Sequence, residues 1–137
     1  MVYTVHLKSN SGGDAASNRA KREDAARQLI GHIAQVLPQH SEKVAPAVLV
    51  AGDFNTDPDS PQFGGERTVK MFQEAGFEWA LASLPRVKRI TWPAADGFPD
   101  ATFDHVLTKG IKVRAVVVPV GYDRCSDHRP VVVDLEG

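Results

Sequence analysis

The sequence predicts an α/β fold in which one mixed β-sheet carries helices on one face. An alternating segment at residues 2–7 and an apolar run at residues 48–51 flank an amphipathic helical stretch. That order is typical of a right-handed parallel strand–helix–strand crossover. After a second helical stretch, the remaining strand candidates follow one another through loops, as in a meander. The length of 137 residues suits a single domain covering residues 1–137.

The first crossover is read from apolar periodicity and chain breakers. Residues 2–7 alternate, so His6 is expected near the end of the first strand. Residues 8–17 are polar and glycine-bearing and predict a loop. Asn18 is expected to cap a helix over residues 19–37, which Pro38 ends. The basic residues of this helix alternate with acidic ones and are expected to form a solvated face: Arg19, Lys21, Arg22 and Arg27.

The second half predicts shorter elements. In chain order these are a helix at 68–75, a strand or loop at 77–83, and strands at 89–92, 101–107, 112–118 and 130–135. Lys109-Gly110 predicts a hairpin turn between the strands at 101–107 and 112–118. Loops are expected at residues 93–99 and 121–126.

The composition excludes several classes of protein. The sequence is 42% hydrophobic and 24% charged, with a formal net charge of −1, so no global field attracts it to nucleic acid or anionic membranes. The one cysteine, Cys125, rules out an internal disulfide and is compatible with a reducing compartment. No stretch approaches membrane-spanning length, and the opening residues do not form a signal peptide. We expect a soluble protein, with the cytoplasm favoured and the compartment left open.

A carboxylate and a carboxamide follow the buried strand at residues 48–51. Asp53 and Asn55 come directly after Gly52, and an extended chain would place both on one face while Phe54 points into the core. The segment can be an Asx-rich turn, a calcium loop or a catalytic strand end. The calcium loop fails because Pro58 and Gly64 occupy the positions that need glycine and glutamate.

Titratable groups lie at three other strand ends as well. His6 ends the first strand, Asp104 lies in a later one, and Asp127-His128 precedes the last. Ligand sites of α/β sheets form at such strand ends. The other histidines and the cysteine are interpreted as structural or exposed: His32, His40, His105 and Cys125. Four residues are candidates for lining the substrate loops: Lys8, Trp92, Tyr122 and Arg124.

Four short motifs occur in a specific order. They are His-Leu-Lys-Ser at 6–9, Gly-Asp-Phe-Asn at 52–55, Phe-Asp-His-Val at 103–106 and Ser-Asp-His-Arg-Pro at 126–130. This set resembles the endonuclease/exonuclease/phosphatase superfamily, which has the deoxyribonuclease-like fold. The resemblance implies hydrolysis of a phosphodiester or phosphomonoester by an activated water. It also implies that the mixed sheet is half of a four-layer αββα sandwich.

The same resemblance implies a role for each site residue. His6 would contact the phosphate, Asp53 would orient or deprotonate water, and Asn55 would donate to a phosphoryl oxygen. His128 would bind the phosphoryl group, held in place by Asp104. The metal, Mg²⁺ or Mn²⁺, would lie near Asp127 and Asp53, because hard cations prefer oxygen ligands.

The chain departs from this family in its first half. No residue matches the family's asparagine on the first strand or its principal metal-binding glutamate. We therefore expect a partial domain that pairs with a missing N-terminal half or self-associates as a homodimer through an uncovered apolar sheet face. The alternative function is a non-catalytic half-domain that acts as a binding or assembly module. The substrate is left open among nucleic acid, phospholipid and sugar or inositol phosphates.

Overall fold

The structure, a computed structural model, describes residues 1–40, 46–95, 97–121 and 124–136. Parts of the loops expected at 93–99 and 121–126 lie outside these residues, as does Tyr122. The helices are α1, Ala15–Val36, and α2, Thr68–Glu74. The strands are β1 Val2–His6, β2 Val48–Asp53, β3 Glu78–Trp79, β4 Asp104–Lys109, β5 Val113–Val117 and β6 Val132–Leu135. The α/β class with a mixed sheet is confirmed.

Four strands form the main sheet in the order β1-β2-β4-β3. β1 runs parallel to β2, as the crossover predicts, and β2 and β3 both run antiparallel to β4. In this register His6 lies beside Asp53, and Asp53 lies beside Asp104. Three titratable residues from distant parts of the chain therefore occupy one row at one end of the sheet.

Gly52 allows β1 and β2 to approach at this end. Its φ of 143° is rarely adopted by other residues, and an added Cβ would lie 2.0 Å from the carbonyl oxygen of Val5. A side chain here would push the two strands apart one residue before Asp53. The glycine therefore sets the spacing between the strands that carry His6 and Asp53.

The two faces of the sheet pack against different elements. On one face, the residues Val48, Val50 and Phe54 form the core with Ile33 of α1 and Phe72 of α2. On the other face, a second cluster around Val106 packs against β5 and β6. Because residues of β5 and β6 pack against this cluster, the face expected to be uncovered is partly covered by the chain's own last two strands. Complete burial of one large apolar side chain in either cluster stabilises the folded state by about 1.5–3 kcal/mol.

The expected hairpin between residues 101–107 and 112–118 is wrong. β5 pairs with β6 in a separate two-stranded ladder and does not pair with β4. Both edges of β4 are already hydrogen-bonded, one to β2 and the other to β3, so it has no edge left for β5. The strand expected at 89–92 is reduced to an isolated bridge between Trp92 and Ala101.

Helix α1 begins earlier than the sequence predicts. Asp14, and not Asn18, is its N-cap, because the Asp14 Oδ1 accepts the N–H of Ser17 at 2.8 Å. Asn18 is buried inside the helix and donates to the carbonyl oxygen of Gly12 at 2.9 Å. Among the described residues, no helix is both long and apolar enough to cross a membrane.

Arg22 is not part of a solvated face, contrary to the expectation from its charge pattern. Its side chain is 2% exposed and pairs with Glu66, whose side chain is 3% exposed. Both carboxylate oxygens accept from the guanidinium, at 2.8 and 2.7 Å. A third nitrogen donates to the carbonyl oxygen of Lys8 and to Oδ1 of Asn10. The buried guanidinium is tolerated because each of its three nitrogens donates to an oxygen.

Candidate active site

Four predicted site residues come together at one end of the main sheet. His6 ends β1, Asp53 ends β2, Asp104 begins β4, and His128 lies in the loop before β6. Asp53, Asp104 and His128 each offer a ligand atom within 4.8 Å of the others. Nε2 of His6 lies 3.6 Å from Oδ2 of Asp53. The antiparallel direction of β4 makes this possible, since its first residue meets the last residue of β2.

Asp53 is held in place by its own strand end. Its Oδ1 accepts the backbone N–H of Asn55 at 2.8 Å, which leaves Oδ2 facing the two histidines. Burial raises the pKa of Asp53 above its ordinary value, and the nearby charge of Asp104 adds to this. The hydrogen bond from Asn55 and the two imidazoles act in the opposite direction without cancelling the shift. A carboxylate with a raised pKa is a better proton acceptor.

His128 is oriented by Asp104. Its Nδ1 donates to Oδ2 of Asp104 at 2.7 Å, which directs Nε2 towards Asp53, 4.0 Å away. Partial burial, the largest single influence, lowers the pKa of His128. The hydrogen bond to Asp104 and the charges of Asp104, Asp53 and Asp127 together outweigh it, so the net shift is upward. The geometry therefore favours a cationic imidazole.

His6 is the most accessible member of the group. Its side chain is 76% exposed, although its Nε2 is close to Asp53. The end of a strand with an open side leaves the imidazole free to meet a ligand from solvent. The expected role of His6 as a group that contacts the phosphate stays a prediction.

Asn55 does not continue the strand, contrary to the sequence expectation. β2 ends at Asp53, and Asn55 has a positive φ of 53°, a conformation that asparagine tolerates better than most residues. Its Nδ2 donates to the carbonyl oxygen of Leu7 at 3.1 Å, and the backbone carbonyl oxygen of Asn55 accepts from Nδ2 of Asn10 at 3.0 Å. One of the two hydrogens on Nδ2 of Asn55 is therefore used within the fold, and Asn55 is among the residues that line the cleft.

A cleft of about 350 Å³ opens beside these residues. Its lining includes the polar residues Asn55, Asp127 and His128 together with several aromatic side chains. Trp92 lines it, as the sequence suggested, whereas Lys8 and Arg124 are not among its lining residues. Sequence reasoning missed Phe63, Phe98 and Phe103 as cleft residues. Phe98 lies in the loop expected at 93–99, where an apolar residue without a periodic core partner was the available signal, whereas Phe63 and Phe103 gave none.

The donor chemistry fits a hard divalent cation in part. Asp53 offers a carboxylate oxygen beside Asp104 and His128, the exposed Asp127 lines the cleft, and Mg²⁺ commonly uses one or two carboxylates with several waters. The Asp104 oxygen nearest the site already accepts from His128. The three-residue group found in the described chain contains Asp53, Asp104 and His128 but not Asp127.

Two other titratable residues are structural. His105 is buried, its Nε2 lies 2.9 Å from the carbonyl oxygen of Thr56, and burial lowers its pKa. Asp57 is also buried, and it accepts the N–H groups of Thr102 at 3.1 Å and Asp59 at 2.9 Å. These bonds tie the loop after β2 to the residues before β4. They also occupy the Asp57 oxygens that a calcium loop would need.

Solved structures share this fold over nearly the whole chain. A functionally unknown conserved protein from Enterococcus faecalis V583 has a TM-score of 0.66 at 20% identity, covering 99% of this chain and 49% of that one. The human Nocturnin catalytic domain with bound sulfate gives 0.68 at 20%, covering 97% and 45%. D. rerio TDP2, complexed with a single strand DNA product, gives 0.65 at 14%, covering 99% and 56%.

These likenesses define the class of fold, and the chain spans about half the length of those proteins. No curated protein sequence matches the chain. The model of the Endonuclease/Exonuclease/phosphatase family matches residues 13–128. The chain therefore belongs to that family.

Proposed function

We propose that this protein hydrolyses a phosphoester with the help of Mg²⁺ or Mn²⁺. The observation that carries the proposal is the convergence of His6, Asp53, Asp104 and His128, from four separate segments, beside an open cleft. Family membership agrees with this chemistry. In-line hydrolysis needs an aligned water, a proton acceptor and positive groups on the phosphoryl oxygens.

In the proposed reaction, the phosphoryl group lies between the imidazoles of His6 and His128. Asp53 orients the attacking water and accepts its proton, which its raised pKa favours. The imidazolium of His128, held by Asp104, faces the phosphoryl group and gives its proton to the leaving oxygen as the phosphorus–oxygen ester bond breaks, while the second Nδ2 hydrogen of Asn55 is available to a phosphoryl oxygen. A metal held by Asp127 and Asp53 would supply positive charge, which would offset the negative charge that develops on the phosphoryl oxygens.

The test is hydrolysis of an aryl phosphodiester with Mg²⁺, with Mn²⁺ and with a chelator. The His128→Ala variant should lose roughly a hundred-fold or more of the metal-dependent rate, because it loses a positioned acid–base group. His40→Ala is the matched control, since His40 is exposed and lies beyond α1. Metal-independent turnover, or equal rates for the two variants, would contradict the proposal.

A second candidate is a non-catalytic half-domain that serves as an assembly module. The chain spans about half the length of its structural relatives, and no residue matches the glutamate expected of the family. The two functions differ in metal binding near Asp127. Broadening of the Asp127 and His128 resonances by Mn²⁺ supports the enzyme, whereas an unchanged spectrum supports the module.

We infer that the chain associates through its two-stranded ladder, with a second copy or with a missing half. Val117 and Val132 face each other across this ladder, and each is 51% exposed. Exposed apolar pairs on an open ladder favour association. Light scattering at micromolar concentration should show a dimer that Val132→Lys weakens. A monomer would contradict self-association.

A further inference from the structure

The cleft beside the candidate active site is walled by aromatic rings that belong to neither hydrophobic core of the described chain. Trp92 lies between two phenylalanines, with ring centroids 6.2 Å from Phe98 and 5.7 Å from Phe103. Phe63 extends the wall through an edge contact of 5.8 Å with Phe103. These rings therefore form one contiguous aromatic group, which lines the cleft together with Asn55, Asp127 and His128.

The segment that presents this wall is held by its own backbone. Trp92 and Ala101 exchange two hydrogen bonds of 2.9 Å, and Phe98 donates to the carbonyl oxygen of Ala95 at 2.9 Å. Asp100 accepts the N–H of Ala94 at 2.6 Å. Phe98 is nevertheless 58% exposed, so folding leaves its ring in contact with water. An exposed ring on a hydrogen-bonded backbone, beside the proposed phosphoryl site, is available to a ligand.

The charges around the cleft restrict what this ligand can be. The charged side chains that line it are Asp100, Asp127 and the imidazole of His128, and no described lysine or arginine is among the lining residues. The Lys8 ammonium donates instead to the carbonyl oxygen of Ser9 at 3.0 Å. A polyanionic chain needs several cations along its path. A single phosphoryl group carries less charge, and the imidazoles of His6 and His128 are sufficient to bind it.

We propose that this aromatic wall is a specificity subsite for a flat ring carried by a small, singly phosphorylated substrate, in preference to a nucleic acid polymer. The inference rests on the proposed phosphoester hydrolysis and names its substrate class. A cleft of about 350 Å³ has room for one ring next to one phosphoryl group. The ring, a phenol or a nucleobase, stacks on Trp92 and Phe98 while the phosphoryl group meets His6 and His128.

Binding without turnover tests this subsite separately from hydrolysis. Calorimetry in a chelator, at a pH where both phosphonates are dianions, compares phenylphosphonate with cyclohexylphosphonate, which have similar bulk but differ in flatness. Phenylphosphonate should bind about tenfold more tightly. Phe98→Ser should bring the ratio close to one and leave inorganic phosphate affinity unchanged. Val87→Ser is the matched control because Val87 is also exposed and does not line the cleft.

A second pair of probes distinguishes the two kinds of ring. Adenosine 5′-monophosphate and ribose 5-phosphate differ by the base, so a gain with adenosine assigns a nucleobase. A gain with phenylphosphonate alone assigns a phenol. Equal binding within both pairs, no binding of any probe, or tighter binding of a thymidine decamer than of the monophosphate would overturn the proposal. Hydrolysis without ring discrimination refutes the subsite alone, whereas ring discrimination without hydrolysis refutes the proposed activity alone.

Discussion

Replacing Glu66 by glutamine should lower the free energy of unfolding by about 3–5 kcal/mol, because it leaves the buried charge of Arg22 uncompensated. The pair is bidentate, with nitrogen–oxygen distances of 2.8 and 2.7 Å, and both side chains are at most 3% exposed. Glutamine has the same shape but presents an N–H group towards the guanidinium. The loss is a large fraction of the ~5–15 kcal/mol that stabilises a typical domain.

Urea denaturation followed by circular dichroism measures this loss. With a slope of about 1–3 kcal/mol per molar urea, the midpoint should fall by roughly 1 M or more. The matched control is Asp24→Asn, which breaks the pair between Arg27 and Asp24, whose side chains are 63% and 56% exposed. An exposed pair contributes about 0–1 kcal/mol. Equal midpoints for the two variants would refute the argument from burial.

A double variant separates the cost of an unpaired charge from the cost of altered packing. Arg22→Met with Glu66→Met removes both charges and should recover part of the stability lost by either single variant. Recovery is incomplete because Lys8 and Asn10 lose the donor that Arg22 provides to both. If the double variant loses as much free energy of unfolding as the two single variants lose together, the reasoning is refuted.

Three further predictions concern the site and the sheet. Asp104→Asn should lower the pKa of His128, because it removes the charge that accepts its 2.7 Å hydrogen bond; an unchanged ring titration by NMR would contradict this. The raised pKa of His128 gives the folded state an advantage that is fully present below the ordinary value of 6.5 and is lost as pH rises through the folded-state pKa. The urea midpoints of the wild type and His128→Gln should therefore differ most in acid, and a constant difference would count against the linkage. Gly52→Ala should sharply lower the melting temperature, because the added Cβ would lie 2.0 Å from the Val5 carbonyl oxygen. The control is Gly31→Ala, where an added Cβ meets no atom within 4 Å and should stabilise α1 by about 0.5–1 kcal/mol. Equal melting temperatures for the two variants would contradict the steric argument.

The strands and the helices were largely readable from local pattern. Alternation marks β1, an apolar run marks β2, and the stripe containing Ala26 and Ile33 marks α1. Each signal depends on neighbours a few residues apart, so the sequence contains it. The start of α1 was placed too late because Asp14 and Asn18 are both good N-cap residues and only the packed structure distinguishes them.

Pairing and burial could not be read in the same way. The hairpin at Lys109-Gly110 was a reasonable local prediction, but β4 had already used both of its edges. The charge pattern of α1 indicated a solvated face, yet Glu66, 44 residues away, allows Arg22 to be buried. Both errors have the same origin, because contacts between distant segments override local preference.

By itself, the sequence determined which residue types stand at the strand ends, and the order of four short motifs indicated the family that the comparisons support. The tertiary structure decided how those ends meet. The parallel register of β1 and the antiparallel register of β4 put His6 and Asp104 on either side of Asp53. It also placed Trp92 and Phe98 along one cleft. Register and loop docking depend on long-range packing and edge availability, and no local pattern records either.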